Sequence, residues 1–154
     1  MASPSIGSMI ADFTLDSAAG RWRLKHAAGG APVVYFHPRD NASDCTREGK
    51  AFRDHDALFR KARTAIVGVS PDSVASHRKF SDTHESPFPL LADPEQRACR
   101  LFDVIKEKSL YGRNYLGVER STFLLEPKGV LRHEWRKVKV DGHAAEVRAA
   151  ARAL

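Results

Sequence analysis

Cys45 is the residue whose type and surroundings most favour chemistry in this chain. It follows an apolar β-run, Val33-Val34-Tyr35-Phe36-His37, which Pro38 ends because proline has no N–H to give to a strand ladder. Beyond a polar loop the pattern turns helical: Cys45, Phe52 and Phe59 recur at two-turn intervals, with Leu58 and Ala62 beside them. The spacing predicts a thiol in the first turn of a helix, just past the end of a buried strand. First-turn N–H groups lack intrahelical partners, and the helix dipole favours negative charge there. Such a place is expected to lower the thiol pKa and yield thiolate, the reactive form. Glu48, three residues on, reads by position as a carboxylate that steadies the same helix N-terminus.

The remaining chemistry-bearing residues are less pointed. Cys99 lies one helical turn before Phe102 and shares its face, which predicts core packing. A disulfide with Cys45 stays open, because it needs Cα atoms within roughly 7 Å. None of the 7 histidines pairs with a cysteine at zinc-binding spacing, and His77 and His84 share a helix face two turns apart, beyond one ion's reach. No metal site is expected. His37 reads as a strand-end residue packed beside the thiol, with proton transfer as the alternative.

These residues need a frame. The 154-residue chain suits one domain spanning residues 1–154, with a real core. Its 42% hydrophobic and 29% charged residues predict a soluble globular protein. Two cysteines make no disulfide scaffold and suit a reducing compartment. The N-terminus has no basic n-region and no long apolar run, and nothing approaches the ~20 apolar residues of a membrane helix. A cytoplasmic protein is expected, without membrane attachment. The net charge of +6 is spread along the chain, which predicts a solvated basic surface rather than nucleic-acid binding.

In chain order, a β-hairpin is predicted around the turn Asp16–Gly20, with Phe13, Leu15, Trp22 and Leu24 as its apolar members. Gly29-Gly30-Ala31-Pro32 is a break, and the strand and helix around Cys45 follow, to about Arg63. Residues 65–70 read as a strand buried on both faces; Ser70 is expected to cap a helix that runs to about His84. Phe88–Ala92 reads as a strand, Glu95–Phe102 as a short helix capped by Asp93, and residues 104–119 as loop. Ser121–Leu125 and Val130–Val140 read as paired strands, followed by an Ala-rich C-terminal helix. Alternating β and α units imply a mixed central sheet flanked by helices.

In this order the chain is similar to the thioredoxin-like α/β fold with an N-terminal β-hairpin. More narrowly it resembles a peroxiredoxin of the bacterioferritin-comigratory, or peroxiredoxin Q, subgroup. The resemblance rests on V-V-Y-F-H-P-R-D-N-A-S-D-C-T-R-E, I-V-G-V-S-P-D-S, F-P-L-L-A-D, F-D-V, Y-G-R-N-Y-L-G-V-E-R-S-T-F-L-L and W-R-K-V-K-V-D-G-H, all in order. It implies a thiol-dependent peroxidase, acting on hydrogen peroxide and small organic hydroperoxides without metal or organic cofactor. Cys45 matches the cysteine that attacks peroxide and Pro38 the proline of P-x-x-x-T/S-x-x-C. Arg120 matches the active-site arginine, and Glu48 stands where a carboxylate often holds it. Ser43 and Thr46 are candidate substrate-binding hydroxyls. The implied reductant is thioredoxin, glutaredoxin or a low-molecular-weight thiol, and the implied assembly a monomer or weak dimer.

Three departures matter. The hydroxyl residue three before the cysteine is Ala42, and Asp44 adds a negative charge expected to raise the thiol pKa. The positions where the subgroup carries a resolving cysteine hold Lys50 and, at about the second, Ser81. That leaves a one-cysteine cycle with an external thiol, or an unorthodox role for Cys99. His37 stands where the family often has an aromatic residue. The alternative function is a catalytically weakened relative acting as a redox sensor or thiol-linked binding protein.

Overall fold

The computed structural model describes residues 3–26 and 30–154. Seven strands form the main sheet in the order β2-β1-β5-β4-β3-β8-β9. They are β1 (Thr14–Ser17), β2 (Gly20–Arg23), β3 (Ala31–Phe36), β4 (Thr64–Ser70), β5 (Leu90–Ala92), β8 (Ser121–Leu125) and β9 (Leu131–Trp135). The middle strands β3, β4 and β5 run parallel, while β8, β9 and the β1–β2 hairpin add antiparallel strands at either side. This is the mixed sheet the alternating β and α pattern implies. The hairpin lies where expected, with Leu15 opposite Trp22. Of the Gly29–Pro32 break, Gly29 lies outside the described residues.

Strand alternation sorts the core into two layers. Val33 and Tyr35 face a cluster with Phe52, Phe59, Phe80, Leu124 and Val147. That layer is covered by α1 (Ser43–Lys61), α2 (Val74–His84) and α4 (His143–Arg152). Val34 and Phe36 face the opposite cluster with Leu91, Cys99, Phe102, Phe123 and Phe13. That layer is covered by α3 (Arg97–Leu101) and the N-terminal segment. Because successive side chains of a strand point to opposite faces, one six-residue strand anchors both layers. All six residues of β3 are buried.

The structure departs from the sequence reading at element ends. Ser70 does not cap α2. Its carbonyl still belongs to the sheet edge, accepting from the Asp93 N–H at 2.9 Å, and Ser73 caps instead, accepting from the Ser76 N–H at 3.1 Å. The N-cap position of α3 falls to Gln96 rather than Asp93, but the Asp93 carboxylate still satisfies the first turn, accepting from the N–H groups of Arg97 and Cys99 at 2.8 Å each. The helix starts only at Arg97 because Gln96 is left-handed at φ 59°. β9 ends at Trp135 rather than Val140. Arg136 turns inward to donate to the carbonyls of Phe102 and Asp103, and Lys137 takes φ 50°.

The largest departure is residues 104–119, which are no loop. They form a separate hairpin of β6 (Ile105–Leu110) and β7 (Arg113–Val118). Tyr111 and Gly112, both at positive φ, make its turn, a backbone that matches strand twist. Most of its residues are exposed or half-buried, so it lacks the alternating apolar face by which a strand is read from sequence.

Gly68 in β4 lies beneath Tyr35 and Leu90; a Cβ there would stand 2.7 Å from both side chains. Gly68→Ala is therefore expected to destabilise the fold by about 1–3 kcal/mol through overpacking. Urea unfolding should show a lower midpoint with unchanged m-value.

Candidate active site

Cys45 is the third residue of α1 and is buried at 2% exposure. Ala42, the N-cap, has extended backbone and no side-chain oxygen to offer, so no hydrogen bond caps the helix. The register of β3 against β8 pairs Phe36 with Ser121. Arg120, one residue before β8, therefore emerges beside His37 and Pro38 at the end of β3. Its guanidinium is held between two groups: one nitrogen donates to Glu48 Oε1 at 2.7 Å and another to Cys45 Sγ at 3.2 Å. Glu48 reaches this position because it lies one turn beyond Cys45 on the same face of α1. Three residues that sequence reading singled out thus meet, across a separation of 72 residues for Arg120 and Glu48.

Burial governs the electrostatics. It pushes the Cys45 thiol above its ordinary value, while backbone hydrogen bonding at Arg39 and the charge of Arg120 pull it down without overcoming burial. The expected lowering at a helix start is thus reversed in the resting pocket, because the dipole argument leaves out loss of water. Burial likewise raises the Glu48 carboxyl to about 7, against the opposing pull of Arg120. Glu48 Oε2 is buried and makes no hydrogen bond. Asp44 lies exposed one residue before Cys45. Its carboxylate pairs with Arg47 at 2.8 Å, and its charge bears on Glu48, pushing that carboxyl up.

The other sequence candidates divide. Pro38 is half-buried, Thr46 half-buried and Ser43 exposed around the thiol's turn. Cys99 is fully buried on the opposite face of the sheet from α1, in the layer with Phe102 and Leu91. Burial pushes its thiol far up, and Asp93 adds to this. Both thiols are free. Ser81 sits half-buried on α2.

Two features went unread in the sequence. Lys108 of the β6–β7 hairpin is half-buried within the field of Arg120 and Cys45; burial lowers its pKa, Arg120 lowers it further and Cys45 opposes. It was missed because the hairpin was. Asp40, two residues past Pro38, is 1% exposed and anchors the loop that delivers Cys45. Its carboxylate accepts from His37 Nε2 at 2.9 Å, from His77 Nδ1 at 2.7 Å and from the Ser76 hydroxyl at 2.7 Å. Burial would raise that carboxyl, but these donors hold it well below the usual carboxylate range. No local pattern marks a loop aspartate as buried.

Glu48 carries a pH prediction. Its pKa is about 7 in the folded protein against 4.5 as the ordinary value. The folded state therefore holds a proton that the unfolded state has lost, and stability from this group is full below 4.5 and lost as pH rises through 7. Glu48→Gln is expected to flatten the fall in unfolding midpoint across that window. It should also lower the Cys45 pKa, read by thiolate absorbance, since the carboxylate charge now raises it.

Comparison with known proteins gives a consistent set of matches. The AhpC/TSA family matches over residues 6–134. Peroxiredoxin Bcp of Xanthomonas campestris pv. campestris is 48% identical over 140 residues, covering 91% of this chain and 82% of that protein. A solved structure of the bacterioferritin comigratory protein of Xanthomonas campestris, from work on its alkyl peroxide reduction activity, superposes with a TM-score of 0.87. It is 47% identical and covers 92% of this chain and 90% of that one. Two solved cysteine-to-serine mutants of Xanthomonas campestris peroxiredoxin Q, 48% and 46% identical at the same coverage and TM-score, alter two different cysteines. Those cysteines are separated by the same number of residues as Cys45 and Ser81 are here.

Proposed function

The chain belongs to the AhpC/TSA family and is a thiol-dependent peroxidase of the peroxiredoxin Bcp type; from that premise we propose that Cys45 is its peroxidatic nucleophile and that Arg120, Glu48 and Pro38 complete the catalytic site. The observation that carries this reading is one guanidinium donating to both Cys45 Sγ, at 3.2 Å, and Glu48, at 2.7 Å.

The chemistry follows from that geometry. The Cys45 thiolate attacks the terminal peroxide oxygen; an S–O bond forms, the O–O bond breaks, and the electron pair leaves on the distal oxygen as alkoxide or hydroxide. Arg120 has donors in a fixed fork and no proton to lose, so it stabilises thiolate and developing oxyanion alike. Without it, backbone hydrogen bonding at Arg39 would be left to oppose burial of the thiol. Glu48, with a carboxyl near neutrality and one unpartnered oxygen, holds the guanidinium and is suited to take the thiol proton and return it to the leaving oxygen. Pro38 brings no donor and shields the sulfur from water. Ser43 and Thr46 are the hydroxyls nearest in sequence to bind the peroxide, since Ala42 has none.

Substrates are hydrogen peroxide and small organic hydroperoxides, a scope supported by the alkyl peroxide reduction activity of the Xanthomonas protein. Cys45 becomes a sulfenic acid. With serine at 81 and Cys99 packed across the sheet, an external thiol resolves it. That thiol condenses with the sulfenic acid to a mixed disulfide and water, and a second thiol restores Cys45. Thioredoxin, glutaredoxin or a small thiol fits this step. The reading places the protein in the cytoplasm as a single-domain monomer or weak dimer; no helix among the described residues is long and apolar enough to cross a membrane.

Steady peroxide consumption coupled to thioredoxin and its reductase tests the assignment. Wild type should turn over and Cys45→Ser should not; activity surviving in Cys45→Ser would sink it. Arg120→Lys should lower kcat/KM by roughly 100-fold, the scale of one oxyanion donor. Ala42 also supports a second reading, a weakened relative that senses peroxide by oxidising once; single oxidation of Cys45 without turnover would select it. Ala42→Thr restores both a helix cap and a peroxide-binding hydroxyl. It should raise stability by about 1 kcal/mol and increase the second-order rate with hydrogen peroxide; an unchanged rate means that hydroxyl is not what this site lacks.

A further inference from the structure

The cluster behind the Cys45 loop is built from two short pairs of residues. His37 and Asp40 flank Pro38, and Asp72 and His77 flank the start of α2. One ligand-type atom from each of the four lies within 4.8 Å of all the others. His37, Asp40 and His77 are each at most 3% exposed, and Asp72 is half-buried at the solvent edge. None of the four touches the peroxide chemistry. We propose that His37, Asp40, Asp72 and His77 form a closed binding site for a divalent cation of the zinc class.

The donor set is two imidazoles and two carboxylates, which suits zinc among divalent ions. Tetrahedral coordination at zinc distances places ligand atoms roughly 3.4 Å apart, so the imidazole–carboxylate contacts of 2.7–2.9 Å open slightly and His77 releases its Nδ1 proton to solvent as the ion enters.

The surroundings are those of a ligand set. His77 turns its Nε2 toward the Leu91 carbonyl at 3.0 Å, which fixes the ring and presents Nδ1 to the cluster. A ligand histidine whose other ring nitrogen donates to a backbone carbonyl is the usual outer arrangement of a metal site. Each carboxylate is oriented as well: Asp40 by the Ser76 hydroxyl at 2.7 Å, Asp72 by the Ser70 hydroxyl at 2.6 Å and by the Asp40 N–H at 2.8 Å. His37 Nδ1 is buried and has no partner. Nothing on that side fixes its tautomer, so the proton can move to Nδ1 and leave Nε2 bare for the ion. The charges of one buried and one half-buried carboxylate, Asp40 and Asp72, are also balanced by a divalent cation.

Bound there, the ion joins the loop carrying Pro38 and Asp40 to the end of β4 and the start of α2. It would brace the segment that delivers Cys45 without touching the sulfur.

The test uses metal-stripped, reduced, full-length protein carrying Cys45→Ser, so that the thiol offers no competing ligand. Zn2+ is titrated in competition with a chromophoric chelator. One equivalent should bind per chain and raise the thermal midpoint. His37→Phe, which puts an aromatic ring where the family often has one, should weaken binding by at least roughly tenfold and abolish the thermal shift. Asp72→Asn at the solvent edge should weaken it too. No saturable binding, or equal binding by a His37→Phe protein whose circular dichroism is native, overturns the site. Because binding is read in an inactive background, neither result bears on the peroxidase reading.

Discussion

A single guanidinium, held between a buried carboxylate and a buried sulfur, is the interaction on which this molecule depends. Glu48 is 1% exposed and Cys45 is 2% exposed, and removing both from water disfavours the anion at each. Arg120 is the cation that offsets this, and it does so for both at once. The result is a poised site. The thiol is held above its ordinary value and the Glu48 carboxyl, which a more exposed pocket would leave fully ionised, sits near neutrality and can exchange a proton. The same desolvation that opposes thiolate in the resting state strengthens every interaction with charge developing on a departing oxygen.

The fold meets that requirement through register. Phe36 opposite Ser121 sets where Arg120 emerges, and the parallel pairing of β3 with β4 sets where Pro38 and the following loop leave the sheet. Asp40 then fixes the loop from inside, gathering donors from its own segment and from α2. Alternation along β3 explains the fate of the two cysteines. α1 covers the face that Tyr35 points to, and Cys99 belongs to the layer that Phe36 points to. One thiol sits beside a cation and the other among aromatic rings, so the two are chemically unlike although both are buried. With serine on α2 at position 81, the folded chain has no second thiol on the Cys45 side of the sheet.

Elements with strong local patterns were legible in advance. The buried run before Pro38, the helical period from Cys45 to Phe59, the N-terminal hairpin and the Asp93 carboxylate at the first turn of α3 all follow from side-chain period or local hydrogen bonding. Boundaries were less so. Ser70 is a good cap by type, yet the sheet kept its backbone and Ser73 took the part. The β6–β7 hairpin escaped because it is paired only with itself and leaves most side chains exposed or half-buried. In the site, Cys45, Pro38, Glu48 and Arg120 were legible from motif order, while Lys108 and Asp40 were not, since neither carries a local signature.

The sequence alone determined which atoms can react: a thiol at a helix start, an arginine at a strand start, an alanine in place of a hydroxyl, and no cysteine at 50 or 81. These are matters of residue type and local period, which the chain carries in itself. The tertiary structure decided how those atoms behave. Whether the thiol sits above or below its ordinary value, how far Glu48 is pushed toward neutrality, and whether four residues from two distant segments converge depend on burial and on through-space distance. Those are set by strand register and packing between segments far apart in the chain, which no local pattern records.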